Sequence, residues 1–339
     1  MRLPRMFSVT LLGILGHWLF AGALFAISEE NYQQTYEEKV WPFFLSQGTD
    51  GTIVTEDQVK LAYKTVIHPD PIATLVVLQG WTEHYTSYAE FAYDMYQERV
   101  STYILDWRGQ GKSQRFLDDS HKSYIDTYDS YQRDLHAFMQ QIVLPQAKTP
   151  PIALAFSMGA NVLSLYESQY PKTFSRIILV SPMLDIKSDP FPQRFAWGVA
   201  KLMQMLGLGD GFVWGHGHYT GTGPNIVTSS DARFLKIREL RKSQMDTVIG
   251  GATWAWLKAS LEATWTMRDQ ADRLQVPLLM LQAGKDNVVR TEGQDKVCAD
   301  APLCLKVVFP LAMHAILAEN DRIRTKALRE IMDFIRYGY

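Results

Sequence analysis

A series of short, almost uninterrupted apolar runs constrains this chain of 339 residues more than any other feature. The runs occupy residues 74–78, 102–105, 152–156, 177–180, 278–281 and 305–309. Runs of this length are typical of parallel strands, which are covered on both faces and therefore need apolar side chains on both. Amphipathic stretches follow at residues 88–99, 124–142, 160–169 and 322–335. This alternation predicts an α/β fold with a mostly parallel, doubly wound sheet.

One long stretch interrupts the alternation. Residues 187–270 contain no comparable apolar run, but show helical periodicity rich in Trp, Met and Leu around a glycine-rich piece at 207–223. In open α/β sheets, ligands bind outside the carboxyl ends of the strands, where such an insertion is placed. We therefore predict a helical cap over residues 187–270, between core segments at 28–186 and 271–339.

The first 27 residues form a separate segment. Arg2 and Arg5 precede an uncharged run that ends in small residues, and the acidic Glu29 and Glu30 follow. This order is typical of a secretory signal peptide. The run also approaches the roughly 20 apolar residues that span a bilayer, so an uncleaved membrane anchor is the alternative. Both interpretations predict that the rest of the chain is exported.

The two cysteines of the chain, Cys298 and Cys304, are close together in a predicted loop before a strand. In an oxidising compartment they would close a small loop and stabilise the fold by about 2 kcal/mol. The alternative is a pair of unrelated thiols, one of them buried. The spacing makes a Cys298–Cys304 disulfide a hypothesis.

Several other kinds of site are disfavoured. A formal net charge of −2 gives no reason to expect nucleic acid as a partner. The segment 106–113 ends in Gly-Lys-Ser, but Asp106 stands where a phosphate-binding loop needs glycine. His216 and His218 have no third ligand nearby in sequence, so solvated histidines are expected. We predict neither a cofactor nor a metal site.

Ser157 follows the apolar run 152–156 and precedes a helical stretch, in the sequence Ala155-Phe156-Ser157-Met158-Gly159. This matches the nucleophile elbow, with Ala155 in place of the first glycine. Small neighbours let the backbone turn sharply, so that the hydroxyl rises above the sheet beside the amides that begin the helix. An ordinary helix-capping serine is the alternative. The pattern predicts a nucleophilic serine.

The other catalytic groups must follow in the order acid, then histidine. Asp286 comes shortly after the run 278–281, and His314 comes shortly after the run 305–309. Both positions lie just past the carboxyl end of a predicted strand. We predict that His314 accepts the Ser157 proton and that Asp286 fixes the tautomer of His314.

The oxyanion hole requires two backbone amides. One is the amide of Met158, directly after the serine. The loop after the run 74–78 begins with Gln79 and Gly80, and the Trp81 amide is its natural donor. Glu83 and His84, further along, are expected to organise this loop.

The motifs together resemble the bacterial lysophospholipases related to monoacylglycerol lipase, within the α/β-hydrolases. The resemblance covers most of the chain after about residue 35. It is carried by residues 80–84 with Tyr88, Leu105-Asp106-x-Arg108-Gly109-Gln110-Gly111-x-Ser113, Ala155-x-Ser157-Met158-Gly159, Ser181-Pro182-Met183, Thr220-Gly221-Thr222-Gly223, Asn225-x-x-Thr228 and Gly250-Gly251-x-Thr253. Gln79 replaces the usual histidine, Ala315 replaces the usual glutamate, and the leader distinguishes this chain from cytoplasmic members.

The resemblance implies the α/β-hydrolase fold and a serine hydrolase that cleaves the carboxylic ester of a lysophospholipid or monoacylglycerol through an acyl-enzyme. The leader, rather than the resemblance, predicts a periplasmic location, either free or anchored to the inner membrane. An acyltransferase with the same triad, a serine peptidase of related fold and a lipid-binding protein without activity are the alternatives. The insertion offers apolar side chains for an acyl tunnel or a membrane-facing lid, unless they simply pack the cap on the core: Phe191, Phe195, Trp197, Leu202, Met203, Met205 and Leu206.

Overall fold

The structure is a computed structural model that describes residues 26–338. Nearly all of the predicted leader, residues 1–27, therefore lies outside the described residues. Within residues 26–338, no helix combines the length and the apolar character needed to cross a bilayer.

The central element is an eight-stranded sheet with the order β1-β2-β4-β3-β6-β7-β9-β10. From β4 to β10 all neighbours are parallel, whereas β1 and β2 join the edge as antiparallel strands. The short strands β5 and β8 pair separately. The strands are β1 (Gly48–Val54), β2 (Lys60–Val66), β3 (Ala73–Leu78), β4 (Val100–Leu105), β5 (Lys122–Ser123), β6 (Pro151–Phe156), β7 (Arg176–Val180), β8 (Gly251–Ala252), β9 (Leu278–Ala283) and β10 (Cys304–Phe309). The predicted mostly parallel sheet is confirmed.

The apolar runs did not predict β1 and β2. β1 lies at the edge of the sheet and needs only one covered face, whereas the mostly buried β2 includes the polar residues Lys64 and Thr65. Neither strand therefore shows the continuous apolar run of a central parallel strand. In β1, Ile53 is the one fully buried residue, and the strand is otherwise partly or fully exposed.

Helices cover both faces of the sheet. In β3, Val76 and Leu78 face one core cluster, which also contains Leu163 of α6, while Leu75 and Val77 face the other, with Leu328 of α11. The α-helices are α1 (Tyr32–Thr35), α2 (Trp41–Ser46), α3 (Ala89–Gln97), α4 (Tyr128–Phe138), α5 (Leu144–Gln146), α6 (Met158–Gln169), α7 (Gln193–Met205), α8 (Asp231–Ser243), α9 (Trp254–Asp269), α10 (Thr291–Asp300) and α11 (Asp321–Tyr337). This two-layer cover explains why the central strands are apolar on both sides.

The region predicted as a cap contains α7, α8 and α9, together with the two-residue strand β8. The third helix, α9, buries Trp256, Ala259 and Met267 in the same core cluster as the sheet. This helix therefore packs on the sheet, and it is also the last helix of the region predicted as a cap.

A buried cluster of ion pairs connects α8 to the rest of the molecule. Arg233 of α8 is 1% exposed and donates to Glu90 of α3 at 3.0 Å and to Asp321 of α11 at 3.0 Å. It also donates to the carbonyl oxygen of Ile27 at 3.0 Å. Beside it, Arg324 pairs with Asp94 at 2.5 Å. These contacts fix the insertion and the N-terminal segment to the core.

The two cysteines are joined in a disulfide. Cys298 lies in α10 and Cys304 is the first residue of β10, whereas the sequence suggested that both lie in a loop. The bond closes the turn between the helix and the strand.

The strand order determines where a site can form. After β3 the chain continues to β4 on one side, whereas β6 pairs with β3 on the other side. This reversal is a topological switch point, at which loops leave neighbouring strands in opposite directions and open a crevice. The segment with Trp81 follows β3 and the segment with Ser157 follows β6, so both lie at this crevice.

Candidate active site

Ser157 occupies the sharp turn between β6 and α6. Its backbone has φ 50° and ψ −113°, a conformation that is rare for residues other than glycine. The Ser157 amide donates to the Val180 carbonyl oxygen at 3.0 Å, and the Met183 amide donates to the Ser157 carbonyl oxygen at 2.9 Å. The loop after β7 therefore holds the turn, as a nucleophile elbow requires.

The residues beside the turn are small because other backbone approaches closely. A Cβ atom at Gly159 would lie 2.4 Å from the Gln79 carbonyl oxygen and 2.6 Å from that of Leu78. Ala155, by contrast, is a fully buried residue of β6 paired with Leu78 and Leu179 on the two neighbouring strands. Close packing therefore requires glycine at position 159, whereas position 155 accommodates alanine.

Asp286 lies in the loop after β9. Its Oδ1 accepts the amides of Val288 at 2.8 Å and Val289 at 2.9 Å, while Oδ2 lies 2.7 Å from His314 Nδ1. Burial opposes ionisation, but the hydrogen bond and charge of His314 and the two amides hold the pKa of Asp286 below its usual value. Asp286 is therefore suited to act as an anionic acceptor facing the imidazole.

His314 lies in the loop after β10 and is 4% exposed. Its Nε2 is 3.0 Å from Ser157 Oγ, while its Nδ1 faces Asp286. A carboxylate at Nδ1 favours the tautomer with hydrogen on that nitrogen, which leaves Nε2 free to accept the serine proton. The structure thus brings together the three side chains in one hydrogen-bonded row.

Two loops have to meet for this row to form. The Gly284 amide donates to the Phe309 carbonyl oxygen at 2.9 Å, and the Lys285 amide donates to that of Ala312 at 2.9 Å. A Cβ atom at Gly284 would lie 2.7 Å from backbone atoms of Pro310, so glycine is required at this crossing. These contacts bring the loop after β9 against the loop after β10.

Glu319 is a positioning residue that the sequence did not indicate. It is fully buried, and its Oε1 accepts the Met313 amide at 2.6 Å, next to His314. Its Oε2 accepts the amides of Ser229 and Asn320, each at 3.1 Å. Its five-residue separation from His314 matches no local motif, so the signal lies in the tertiary contacts.

The two amides assigned to the oxyanion hole follow paired strands in register. Leu78 of β3 pairs with Ala155 of β6, and Trp81 and Met158 each come three residues later. Neither amide donates to a protein acceptor among the described residues. Both are therefore available to an oxygen atom bound beside Ser157.

The side chains of the β3 loop hold it in place. The Trp81 indole nitrogen donates to Ser123 Oγ at 2.8 Å, and its ring stacks on Trp256 at 4.6 Å between centroids. The Thr82 amide donates to Gln110 Oε1 at 2.7 Å. The position of the Trp81 amide is thus set by contacts with three other segments.

Gln79 anchors the start of this loop. Its Nε2 donates to the Leu105 carbonyl oxygen at 3.0 Å and to Asp106 Oδ1 at 2.8 Å. Asp106 also accepts the amides of Tyr85 at 2.7 Å and Lys112 at 2.8 Å. Burial raises the pKa of Asp106 to about 7 against these hydrogen bonds. The segment after β4 is a scaffold for the loop.

Glu83 and His84 complete the loop. Glu83 Oε2 accepts the Gly80 amide at 2.9 Å and the Tyr88 hydroxyl at 2.8 Å. Burial raises the pKa of Glu83, while these two donors and the charges of Arg241 and His314 oppose the rise. Burial and nearby cations lower the pKa of His84 to about 3, so it is neutral. Glu83 thus connects the start of the loop to Tyr88, while His84 Nε2 lies 2.9 Å from the Thr86 hydroxyl and 3.3 Å from that of Thr247.

The pair of histidines considered as metal ligands is used otherwise. His218 Nε2 lies 2.9 Å from Asp119, and His216 Nδ1 accepts the Ala252 amide at 3.1 Å. Across residues 26–338, no group of three or more His, Cys, Asp or Glu side chains is arranged to hold a metal ion.

This arrangement supports acyl transfer. A serine oxygen 3.0 Å from an imidazole that is itself oriented by a carboxylate is the geometry of an activated nucleophile. Two unpaired amides at the same crevice can stabilise the negative charge that develops on a carbonyl oxygen. The geometry fits an ester or an amide carbonyl equally well.

The chain is similar to known proteins over most of its length. A family model described as "Serine aminopeptidase, S33" matches residues 69–321. Lysophospholipase L2 of Escherichia coli strain K12 is 30% identical over 275 residues, which cover 77% of this chain and 79% of that protein. A probable lysophospholipase L2 of Haemophilus influenzae is 26% identical over 314 residues, 91% of this chain and 98% of that protein.

Solved structures agree on the fold. The monoacylglycerol lipase of Paleococcus ferrophilus superposes with a TM-score of 0.65 at 18% identity, covering 81% of this chain and 98% of that one. At this identity, the similarity speaks for the α/β-hydrolase fold. The chain belongs to the serine aminopeptidase S33 family of α/β-hydrolases, and within that family it is similar to the lysophospholipases and monoacylglycerol lipases.

Proposed function

We propose that this protein hydrolyses the carboxylic ester of a single-chain lipid, a lysophospholipid or a monoacylglycerol. The observation that carries the proposal is the row Ser157–His314–Asp286, with distances of 3.0 and 2.7 Å, in a chain related to lysophospholipases. The hydrogen-bonded row indicates an acyl-transfer reaction, and the similarity to lysophospholipases indicates the class of substrate.

In the proposed reaction, Ser157 Oγ attacks the ester carbonyl carbon while His314 Nε2 takes the serine proton. The amides of Trp81 and Met158 stabilise the oxyanion of the tetrahedral intermediate. His314 then protonates the departing glyceryl oxygen, leaving the fatty acyl group on Ser157. Water attacks this acyl-enzyme with His314 as base and releases the fatty acid.

A partly apolar cavity beside the catalytic loops supports a lipid substrate. The cavity measures about 60 Å³ and is bordered by Phe156 and Ala315, the immediate neighbours of Ser157 and His314. Phe91, Leu240 and Leu317 form the apolar part of its wall, and the paired charges of Glu90, Arg233 and Arg324 form another part. A space of this character beside the reacting atoms suits the first carbons of an acyl chain.

We expect the wild-type protein to release palmitate from 1-palmitoyl-lysophosphatidylcholine or 1-palmitoylglycerol far faster than it cleaves an alanine p-nitroanilide. The reason is that the crevice offers an apolar wall to an acyl chain. Fatty-acid release and p-nitroaniline absorbance measure the two reactions under identical conditions. Faster anilide cleavage would favour a peptidase, and transfer of the acyl group to added glycerol without free palmitate would favour an acyltransferase.

We also propose that the cap touches the membrane from which such a lipid is taken. Five of the seven apolar side chains singled out in the insertion are largely exposed, while Trp197 and Met203 are partly buried. The exposed side chains are Phe191 at 48%, Phe195 at 52%, Leu202 at 53%, Met205 at 76% and Leu206 at 61%. Phe195, Leu202 and Met205 lie on α7, Leu206 follows it directly, and Phe191 precedes it. An exposed group of apolar side chains on one helix and its ends is typical of a membrane-contacting segment.

Replacing Phe195, Leu202, Met205 and Leu206 together by serine should reduce cosedimentation with phosphatidylcholine vesicles at least about fivefold, because binding scales with the buried apolar area. Hydrolysis of the soluble ester p-nitrophenyl butyrate should stay within about twofold. Leu45→Ser with Leu303→Ser is the matched control, since both side chains are exposed, at 57% and 50%, outside the cap. Unchanged vesicle binding by the cap variant contradicts the proposal.

We further propose that the catalytic domain works outside the cytoplasm. The disulfide between Cys298 and Cys304 supports this, because such bonds persist mainly in oxidising compartments. We expect denatured, unreduced protein isolated from its native compartment to label at neither thiol with iodoacetamide, and at both after reduction. Mass spectrometry measures the labels, and two free thiols before reduction would count against export.

A further inference from the structure

Two arginines lie beside the loop that carries the Trp81 amide. Arg241, from α8 in the insertion, donates through Nη2 to the carbonyl oxygen of Thr82 at 3.3 Å and to its hydroxyl at 3.2 Å. Arg115, from the segment after β4, donates through Nη1 to the Gly109 carbonyl oxygen. Gln110 connects them, because its Oε1 accepts the Thr82 amide at 2.7 Å.

Most of the donors in this cluster have no acceptor. Arg115 Nε and Nη2, Arg241 Nε and Gln110 Nε2 are buried and unpaired within the described part of the chain. One nearby acceptor, Gln244 Oε1, is unpaired as well, so unpaired donors outnumber acceptors by four to one. Buried donors without partners are costly and uncommon, and several together indicate a missing group rich in acceptor oxygens.

The surroundings of the cluster are positively charged. Burial first, and then the charges of Arg241, Lys112 and Arg115, lower the pKa of His84. Asp106 and Asp246 interact electrostatically with Arg115, but neither accepts a hydrogen bond from it. Asp106 instead accepts its bonds from Gln79 and two backbone amides. The cluster therefore retains positive charge and hydrogen-bonding capacity for an anion.

The cluster adjoins the reacting atoms. Thr82, which Arg241 contacts, directly follows Trp81 in the chain. Arg241 therefore lies against the loop that carries the Trp81 amide, within hydrogen-bonding distance of the residue that follows Trp81. A group bound by the arginines would thus belong to the same substrate as the ester.

We propose that Arg115, Arg241 and Gln110 bind the headgroup phosphate of a lysophospholipid and so favour this substrate over a monoacylglycerol. The inference rests on the proposed function and names its substrate class. A guanidinium group presents parallel N–H donors that match phosphate oxygens. A monoacylglycerol ends in hydroxyl groups and leaves the charged donors unmet, which is how a polar site rejects the wrong substrate. Arg241 lies in the insertion and Arg115 lies in the core. A phosphate bound by both arginines would therefore connect the insertion to the core beside the active site.

The test compares two substrates with the same acyl chain, 1-palmitoyl-lysophosphatidylcholine and 1-palmitoylglycerol, in the same detergent micelles. The first carries a phosphate but no net charge, so general attraction does not explain a difference. We expect Arg115→Gln and Arg241→Gln each to lower kcat/KM for the lysophospholipid about tenfold or more, as loss of a charged hydrogen bond does. For the monoacylglycerol the change should stay within about threefold. Lys242→Gln, an exposed neighbour on α8, is the matched control.

A structural role of the arginines would reduce both activities equally, and this result overturns the proposal, as does an unchanged lysophospholipid rate. Arg115→Lys should retain part of the preference. Inhibition of p-nitrophenyl butyrate hydrolysis gives a second readout: sn-glycerol 3-phosphate should inhibit the wild type, glycerol at equal concentration should not, and the double variant Arg115→Gln/Arg241→Gln should respond to neither. If the wild type cleaves the butyrate ester but neither lipid, the proposed function fails, while this inhibition still decides whether the phosphate site exists.

Discussion

Ser157→Ala is expected to lower the turnover of a lysophospholipid or monoacylglycerol by about a thousandfold or more. The reason is that the substitution removes the oxygen that forms the acyl-enzyme, and the remaining groups cannot replace a nucleophile. The residual rate should reflect the amides of Trp81 and Met158 and the binding of the substrate. Fatty-acid release under single-substrate conditions measures the effect.

Ser181→Ala provides the matched control. Ser181 is fully buried, has a positive φ of 42° and follows β7, the strand beside the elbow. Its hydroxyl has no partner among the described residues, so its removal should change turnover by no more than a few fold. Activity of Ser157→Ala within tenfold of the wild type would overturn the assignment of the nucleophile. Equal losses in both variants would indicate a folding defect.

Asp286→Asn is expected to lower turnover by about a thousandfold to ten thousandfold. The asparagine keeps the size of the side chain, and its oxygen can still accept the amides of Val288 and Val289. Its NH₂ group would then face His314 Nδ1 as a donor. The imidazole would carry its hydrogen on Nε2, pointing at Ser157, and would be unable to accept the serine proton.

The tautomer gives a readout that a merely structural defect would not produce. The imidazole nitrogen resonances of His314 should show hydrogen on Nδ1 in the wild type and on Nε2 in Asp286→Asn. Asp295→Asn is the matched control, because Asp295 lies in α10, after the same strand, and its partly exposed carboxylate pairs with Lys306. Asp286 is not the orienting acid if its variant keeps more than a tenth of the wild-type turnover with the tautomer unchanged.

The leader and the cap illustrate different limits of inference from the sequence. The uncharged run in residues 7–27 is a local pattern, and its interpretation as a signal peptide or an anchor stays a prediction because residues 1–25 lie outside the described structure. In the insertion, periodicity indicated helices but not their partners. That α9 packs on the sheet layer while α7 exposes its apolar side depends on contacts that no single helix encodes.

The sequence by itself determined the features that depend on near neighbours. Central parallel strands need apolar residues on both faces, so β3, β4, β6, β7 and β9 are visible as runs. The edge strand β10 is visible as well, whereas the antiparallel strands β1 and β2 are not. The elbow needs Gly159 because a Cβ atom at this position would lie 2.4 Å from the Gln79 carbonyl oxygen in the β3 loop. The same requirement is visible in the local sequence, as a small residue two positions after Ser157.

Only the tertiary structure decided the contacts between distant segments. Arg241 and Thr82 are 159 residues apart, and the cluster of unpaired donors exists only because α8 packs over the β3 loop. Glu319 supports the His314 loop by accepting the Met313 amide and, from the segment that leads into α8, the Ser229 amide. Local sequence patterns determine the backbone conformation of a residue and the face of its helix or strand on which it lies. Tertiary packing determines which distant residues it contacts, because many combinations of distant side chains are compatible with the same local sequence.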